Sequence, residues 1–386
     1  MNPIFAGLKT TVFTEMSALA LQHGAVNLGQ GFPDSEGPSD VREAAARAIL
    51  DGPNQYAPMP GLPALRTAIA EHYGRFHGLD FDPMREVLVT AGATEAISAA
   101  ILALVSPGDE VALIQPLYDS YLPMVRLAGG VPKYITLHPP DWALTDEALS
   151  AIGPNTRVLV LNSPLNPGAV AFPRAQLERL AALCVRHDIT VIADEVWEHL
   201  VYDGKAHIPL MTLPGMRERT VKVGSAGKIF SLTGWKVGWA VAAPALIDAV
   251  MKAHQFLTFT VAPGTQAAVA YGLGKDDGYF AAMREGYARS RDRLAAGLTA
   301  EGFAVLPSES TWFLNIDLAA SGIPLGDREF CLRAVQEAGV AAIPVSAFYE
   351  ENPVTNVVRL CFSKRNDTLD AGIERLAAAR SKFAST

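Results

Sequence analysis

Two lysines, Lys228 and Lys236, stand eight positions apart in VGSAGKIFSLTGWKVGW (223–239), a stretch too apolar to be an ordinary charged surface. Removing an amine from water favours its neutral, nucleophilic form, and the small residues before Lys228 leave room beside it. Three polar signals fall at or just after apolar, β-rich runs: Asn162 and Asn166 in LNSPLNP, Asp194 and Glu195 in IADEVW, and Ser225 with Lys228 in GSAGK. Any one alone reads as a turn residue or a helix cap. Three in succession point to one shared pocket outside the carboxyl ends of the strands of an open α/β sheet. A fourth element, VTAGATEA (89–96), reads as strand, glycine turn and helix start, where free N–H groups and the helix dipole suit an anion. It lacks the spacing of a nucleotide P-loop. The GxG at Gly272 to Gly274 follows no strand, so it is no dinucleotide fingerprint.

One small molecule uses all of these groups. An aspartate keeps a pyridine nitrogen protonated, a lysine forms a Schiff base with an aldehyde, and an asparagine donates to a phenolic oxygen. A helix N-terminus, a serine and a second cation hold a phosphate. The set describes pyridoxal phosphate, an electron sink for a carbanion at a substrate α-carbon.

The elements that must position these residues follow from the hydropathy pattern. EVLVTAG (86–92), EVALIQP (110–116), VPKYITL (131–137), RVLVLNSP (157–164), TVIADEV (190–196), TVKVGS (220–225) and WAVAA (239–243) read as strands, and helical patterns such as ATEAISAAILALV (93–105) and FPRAQLERLAALCVRHD (172–188) alternate with them. Strong apolar runs separated by helices predict an α/β fold with a mainly parallel, mixed seven-stranded sheet covered on both faces. WAVAA follows TVKVGS too closely for a helical crossover and is expected to run antiparallel. From about residue 284 the pattern shifts to a smaller α+β lobe. We therefore expect a large domain over 46–283, with 1–45, read as rich in loops, packing with 284–386 in a small domain. A formal net charge of -8 argues against nucleic acid or an anionic membrane as partner. Cys184, Cys331 and Cys361 lie in apolar contexts without a CxxC and read as buried thiols of a reducing compartment. No signal peptide and no membrane-spanning run is recognised, so a soluble cytoplasmic protein is expected. His72 and His77, the closest histidine pair, are five apart and off-face on a helix, so no metal site is expected.

In order along the chain, NLGQGFPD (27–34), NQYAPMPGLPALR (54–66), VTAGATEA, NSPLNP (162–167), DEVWEH (194–199), SAGKIFSLTGWKVGW (225–239) and VVRLCFS (357–363) resemble the class I aminotransferases of pyridoxal-phosphate fold type I. The resemblance covers nearly the whole chain. The opening VFTEMSALALQHGAVNLGQGFPD is most similar to the methionine and kynurenine aminotransferases, the group that includes glutamine transaminase K.

The resemblance implies roles residue by residue. Lys228 is the Schiff-base lysine and then the base that moves a proton between substrate Cα and cofactor. Asp194 pairs with the pyridinium. Asn166 bonds the phenolic oxygen with Asn162 in support, and Tyr118 stacks on the ring. Ala93, Thr94, Ser225 and Lys236 hold the phosphate. Tyr56 reaches the phosphate of a neighbouring subunit, which implies a homodimer with shared sites. Arg359, helped by Gly31 and Asn166, clamps the substrate carboxylate. Phe32, Tyr118, Trp312 and the partner copy's Phe259 form an aromatic, apolar side-chain pocket suited to methionine, phenylalanine, kynurenine or glutamine. The chain departs from the family at Trp197, where a tyrosine usually contacts the phenolic oxygen, and at Leu165, Gly168 and Ala169 around NP. The implied activity is ping-pong transamination between an amino acid and a 2-oxo acid. A cysteine-conjugate C–S β-lyase on the same fold and a non-catalytic cofactor- or amino-acid-sensing module are the alternatives.

Overall fold

The computed structural model of the chain describes residues 1–384. Seven strands form the main sheet: β1 (Val87–Thr90), β2 (Glu110–Gln115), β3 (Val131–Thr136), β4 (Thr156–Asn162), β5 (Thr190–Asp194), β6 (Thr220–Ser225) and β7 (Gly238–Val241). Their order is β1-β7-β6-β5-β4-β2-β3. Only β7 runs antiparallel to its neighbours, β1 and β6; the other pairs are parallel. The expected mixed sheet and its one reversed strand are both present. The central strands are buried along almost their whole length because helices cover both faces.

Within the large sheet, α3 (Gly92–Leu104) follows β1, α4 (Tyr121–Leu127) follows β2 and α5 (Arg174–Arg186) lies between β4 and β5. The alternation of apolar strand and amphipathic helix thus places the carboxyl ends of β4, β5 and β6 side by side. Asn162 is in register with Asp194 across β4 and β5, and Asp194 with Val223 of β6. A second, four-stranded antiparallel sheet is built from β8 (Ala304–Val305), β9 (Phe313–Asp317), β10 (Ile343–Pro344) and β11 (Val357–Cys361), in the order β10-β11-β9-β8.

The first 45 residues contain more regular structure than their loop-rich reading. Helix α1 (Val12–His23) is capped by the Thr11 side chain, which accepts from the Thr14 N–H, and ends at Gly24 in the left-handed conformation. Val26 and Asn27 then pair with Val340 and Ala341, and the Leu28 carbonyl accepts from the Cys361 N–H, tying this segment to the small sheet. Helix α2 (Ser39–Asp51) packs instead against α6 (Pro263–Leu273). The expected boundaries at 45/46 and 283/284 fall inside α2 and inside α7 (Asp277–Ala300). All three cysteines are buried free thiols. No helix among the described residues is long and apolar enough to cross a membrane.

Candidate active site

The carboxyl ends of β4, β5 and β6, the start of α3, the N-terminal segment and β11 surround a cavity of about 1260 Å³. Its lining includes Gly31, Phe32, Ala93, Thr94, Tyr118, Asn162, Asn166, Asp194, Trp197, Ser225, Lys228, Lys236 and Arg359, thirteen of the residues singled out from the sequence. The other three do not line this chain's cavity, and two of them, Tyr56 and Phe259, are expected at a partner copy's site. Trp312 is fully buried, with its ring centre 5.0 Å from the Nζ of the lining residue Lys228, and the next residue, Phe313, lines the cavity. Trp312 and Phe313 both pack edge to face on Trp197, at 4.7 Å and 5.5 Å between ring centres. Tyr56 and Phe259 are 83% and 42% exposed, with their rings edge to face at 5.5 Å.

Lys228 sits in a single helical turn, Ala226–Ile229, directly after β6. Its Nζ lies 4.8 Å from the centre of the Trp197 ring and 5.0 Å from that of Trp312. Burial against these rings lowers its pKa to about 8, although the Asp194 carboxylate pulls the other way. About a tenth of the amine is therefore neutral at pH 7, far more than for a solvated lysine, and the neutral form is what a nucleophile or proton acceptor needs. The ligand-free protein is expected to react with small aldehydes at Lys228 with a rate that rises through a midpoint near pH 8. A midpoint near the 10.4 of a solvated lysine, read by trapping and peptide mapping, would contradict this account.

Asp194 is 6% exposed and ends β5. Burial raises its pKa, opposed first by a hydrogen bond from the Tyr121 hydroxyl to Oδ2 and then by the Val196 N–H. Its other oxygen, Oδ1, is buried without a partner. Neighbouring backbone is fixed by Asn162, which donates Nδ2 to the Asp194 carbonyl at 3.0 Å and accepts from the Asn166 N–H at 2.7 Å.

Arg359, on β11 and 2% exposed, donates from Nη1 to Asn166 Oδ1 at 2.8 Å and from Nη2 to the Gly29 carbonyl at 3.1 Å. Its guanidinium carbon stands 3.9 Å from the centre of the Phe313 ring. Burial lowers its pKa to about 10, so it remains a cation at neutral pH, and no carboxylate is paired with it among the described residues. A Cβ on Gly31 would lie 2.9 Å from the Phe313 ring and 3.7 Å from Arg359 Nη2, so glycine permits this backbone to approach the guanidinium. Because Asn166 Oδ1 accepts from Arg359, its Nδ2 remains available as a donor.

At the other end, Gly92 has φ 77°, and a Cβ there would lie 3.1 Å from Lys236 Nζ. Helix α3 has no side-chain N-cap, which leaves the first-turn N–H groups around Ala93 and Thr94 without intrahelical partners. Lys236 has no ion-pair partner among the described residues. Helix terminus and ammonium together form an anion site.

The donors fit pyridoxal phosphate. An orphaned carboxylate oxygen matches a ring N–H, a desolvated amine matches an aldehyde, and an unpaired lysine beside free helix N–H groups matches a phosphate. Sequence reasoning missed Tyr121, although it lies three residues after Tyr118 in QPLYDSY, and Asp119, which also lines the cavity. It also missed the contribution of α1, whose Phe13, Thr14 and Ser17 line one wall.

Comparison with known proteins agrees with this geometry. The family model described as "Aminotransferase class I and II" matches residues 24–376. A Mycobacterium tuberculosis protein named "Probable N-succinyldiaminopimelate aminotransferase DapC" is 48% identical over 383 residues, covering 95% of this chain and 96% of the relative. The solved structure of the N-succinyldiaminopimelate aminotransferase from that organism superposes with a TM-score of 0.94, at 48% identity, over 97% of this chain and 99% of that one. The methionine aminotransferase of Escherichia coli is 44% identical over 373 residues, covering 96% of each chain. The chain therefore belongs to the class I and II aminotransferases, and it is a transaminase on the fold of their pyridoxal-phosphate-dependent members.

Proposed function

We propose that the chain binds pyridoxal phosphate and moves an amino group from an uncharged L-amino acid, apolar or aromatic, to a 2-oxo acid by a ping-pong route. The observation that carries this reading is the convergence of Lys228, Asp194 and Arg359 on one cavity, the first two from the ends of β6 and β5 and the third from the middle of β11. When bound, the cofactor supplies the electron sink that makes the substrate α-proton acidic. Asp194 Oδ1 would hold its ring nitrogen, and Asn166 Nδ2 and the Trp197 indole would face its phenolic oxygen. Tyr118 would pack on the ring. Lys236, Ser225 and the N–H groups of Ala93 and Thr94 would hold the phosphate.

The chain's own chemistry follows from charge and position. Arg359 binds the substrate carboxylate in a bidentate pair and fixes the α-carbon. Lys228, largely desolvated, takes the proton from that carbon as a general base. The indoles of Trp197 and Trp312 keep water from the amine. The three cations lining the cavity, Lys228, Lys236 and Arg359, are all assigned. Within this chain's own lining none remains for a second carboxylate, and Asp119 repels one. Together with Phe13, Phe32 and Phe313, this favours methionine, phenylalanine, kynurenine or glutamine over dicarboxylates. The exposed Tyr56–Phe259 pair fits a homodimer interface, in which each aromatic would serve the partner's site.

A half-reaction panel tests the reading. Each amino acid is mixed with the yellow protein and ranked by the rate of colour loss, with aspartate, glutamate and N-succinyl-diaminopimelate included. Fastest reaction with a dicarboxylate would overturn the substrate class. Pyruvate, ammonia and thiol released from a cysteine conjugate without any 2-oxo acid would establish the C–S lyase instead. No reaction with any donor would favour a sensing module.

Arg359→Ala is expected to raise the barrier reported by kcat/KM by about 2–5 kcal/mol, the usual cost of truncating one partner of a buried charge pair. Most of the loss should appear in KM for the amino donor. An unchanged KM would remove Arg359 from the carboxylate site.

A further inference from the structure

Tyr121 is absorbed by none of the roles above, yet its hydroxyl donates to Asp194 Oδ2 in the interior of the protein. It opens α4, in the turn after β2 that also carries Tyr118 into the cavity. Its ring is 2% exposed and packs edge to face on Tyr118 at 5.8 Å between ring centres. The two oxygens of Asp194 therefore have different surroundings: Oδ2 is engaged by a rigid phenol, and Oδ1 is buried without a partner beside the cavity.

We propose that Tyr121 is a positioning residue for Asp194: by holding Oδ2 it locks the carboxylate rotamer and leaves Oδ1 as the oxygen aimed at the cofactor's ring nitrogen. The inference rests on the proposed cofactor. A carboxylate at the end of a strand, free to rotate about its last bond, would lose the orientation on which a single N–H contact depends. The phenol also stabilises the ionised carboxyl, because it hydrogen-bonds the charged form in a buried setting that disfavours charge. Tyr118 and Tyr121 thus act from one turn, the first against the ring's face and the second through the group that meets its nitrogen.

Tyr121→Phe removes one oxygen and keeps the ring and its packing. The first readout needs no cofactor. In the ligand-free protein, the infrared band of the protonated Asp194 carboxyl, isolated as a difference against Asp194→Ala, should appear at higher pH in Tyr121→Phe than in the parent. The second is cofactor affinity: Kd for pyridoxal phosphate should weaken about tenfold in Tyr121→Phe, the scale on which losing an orienting partner of a ligand group acts. The same change made on top of Asp194→Ala should alter Kd by less than about twofold, because the hydroxyl then has nothing to hold. Melting temperatures of the four proteins separate this coupling from general destabilisation. An unmoved carboxyl titration, an unchanged Kd, or an equal effect in both backgrounds would overturn the proposal. A parent protein that takes up no pyridoxal phosphate would instead remove the cofactor reading, and the infrared result would still report whether Tyr121 controls Asp194.

Discussion

Lys228→Ala is expected to lower kcat by at least about 10⁴-fold while leaving the fold intact. Proton transfer by a positioned base is worth about 10²–10⁴-fold by itself, and the substitution also deletes the nucleophile that would hold the cofactor. The amine sits over two indole rings, with no hydrogen bond or ion pair to a side chain among the described residues, so its loss breaks no network. Burial works against its charged form, as the depressed pKa of about 8 shows, so removal also relieves a desolvation cost. The melting temperature should therefore change little. Lys228→Arg should be equally inactive, because a guanidinium stays protonated and cannot accept the α-proton. Steady-state assays on the preferred donor check both variants. Turnover within tenfold of the parent in either would exclude Lys228 as the base.

The second large effect concerns stability and a different lysine. Lys222, on β6, is fully buried and pairs with Glu198 at 2.7 Å and Glu195 at 3.0 Å, both carboxylates fully buried as well. His207 contacts Glu195 at 2.9 Å, and His77 contacts Glu198 at 3.2 Å. The ammonium also lies 4.6 Å from the centre of the Tyr73 ring. Lys222→Met would leave two buried carboxylates without their shared cation, which costs about 3–5 kcal/mol. That corresponds to a fall in Tm of roughly 5–10 °C. Changing Glu195 and Glu198 to Gln in the same protein should restore much of the loss, since the uncompensated charge goes with them. A Lys222→Met protein that melts with the parent would show that the cluster is not ionised as drawn.

The pH dependence of this cluster has a definite sign. Lys222 holds the Glu198 carboxyl well below the usual carboxylate range, against the opposing effect of burial. A depressed folded-state value contributes stability above the unfolded carboxylate pKa, and that contribution is lost as pH falls through the folded value. The Lys222 pKa is raised by Glu198, Tyr73 and Glu195 despite burial. Its contribution is present below the ordinary lysine value and is lost as pH rises through the folded one. The cluster therefore supports the fold across the neutral range. It also bears on the active site, because Glu195 directly follows Asp194 and the two glutamates bracket Trp197.

Lys222 shows where sequence reading falls short. TVKVGS is legible as a strand, and its flanking valines place it inside the sheet. What the pattern does not reveal is that Lys222 meets two glutamates from the segment after β5. That pairing depends on β5 and β6 being neighbours in space, which alternation alone does not specify. The same limit applies to Tyr121: it reads as an aromatic after a strand, and only the packing of α4 over the end of β5 brings its hydroxyl to Asp194. Residues attached to strand ends were legible, because in a parallel sheet those ends collect at one edge. Hence Asn162, Asp194, Ser225 and Lys228 were found together. Helix α1 carried its own signals, a Thr11 cap and a Gly24 terminus, but its modest amphipathicity hid it among the turns of the N-terminal segment.

The claim on which the account turns is that Lys228 holds pyridoxal phosphate covalently. Borohydride reduction of the protein loaded with the cofactor, followed by proteolysis and mass spectrometry, tests it directly. The account predicts one stoichiometric phosphopyridoxyl adduct per chain, on the peptide containing Lys228. An adduct on Lys236 or any other lysine, or no adduct in a protein that turns over, would contradict it.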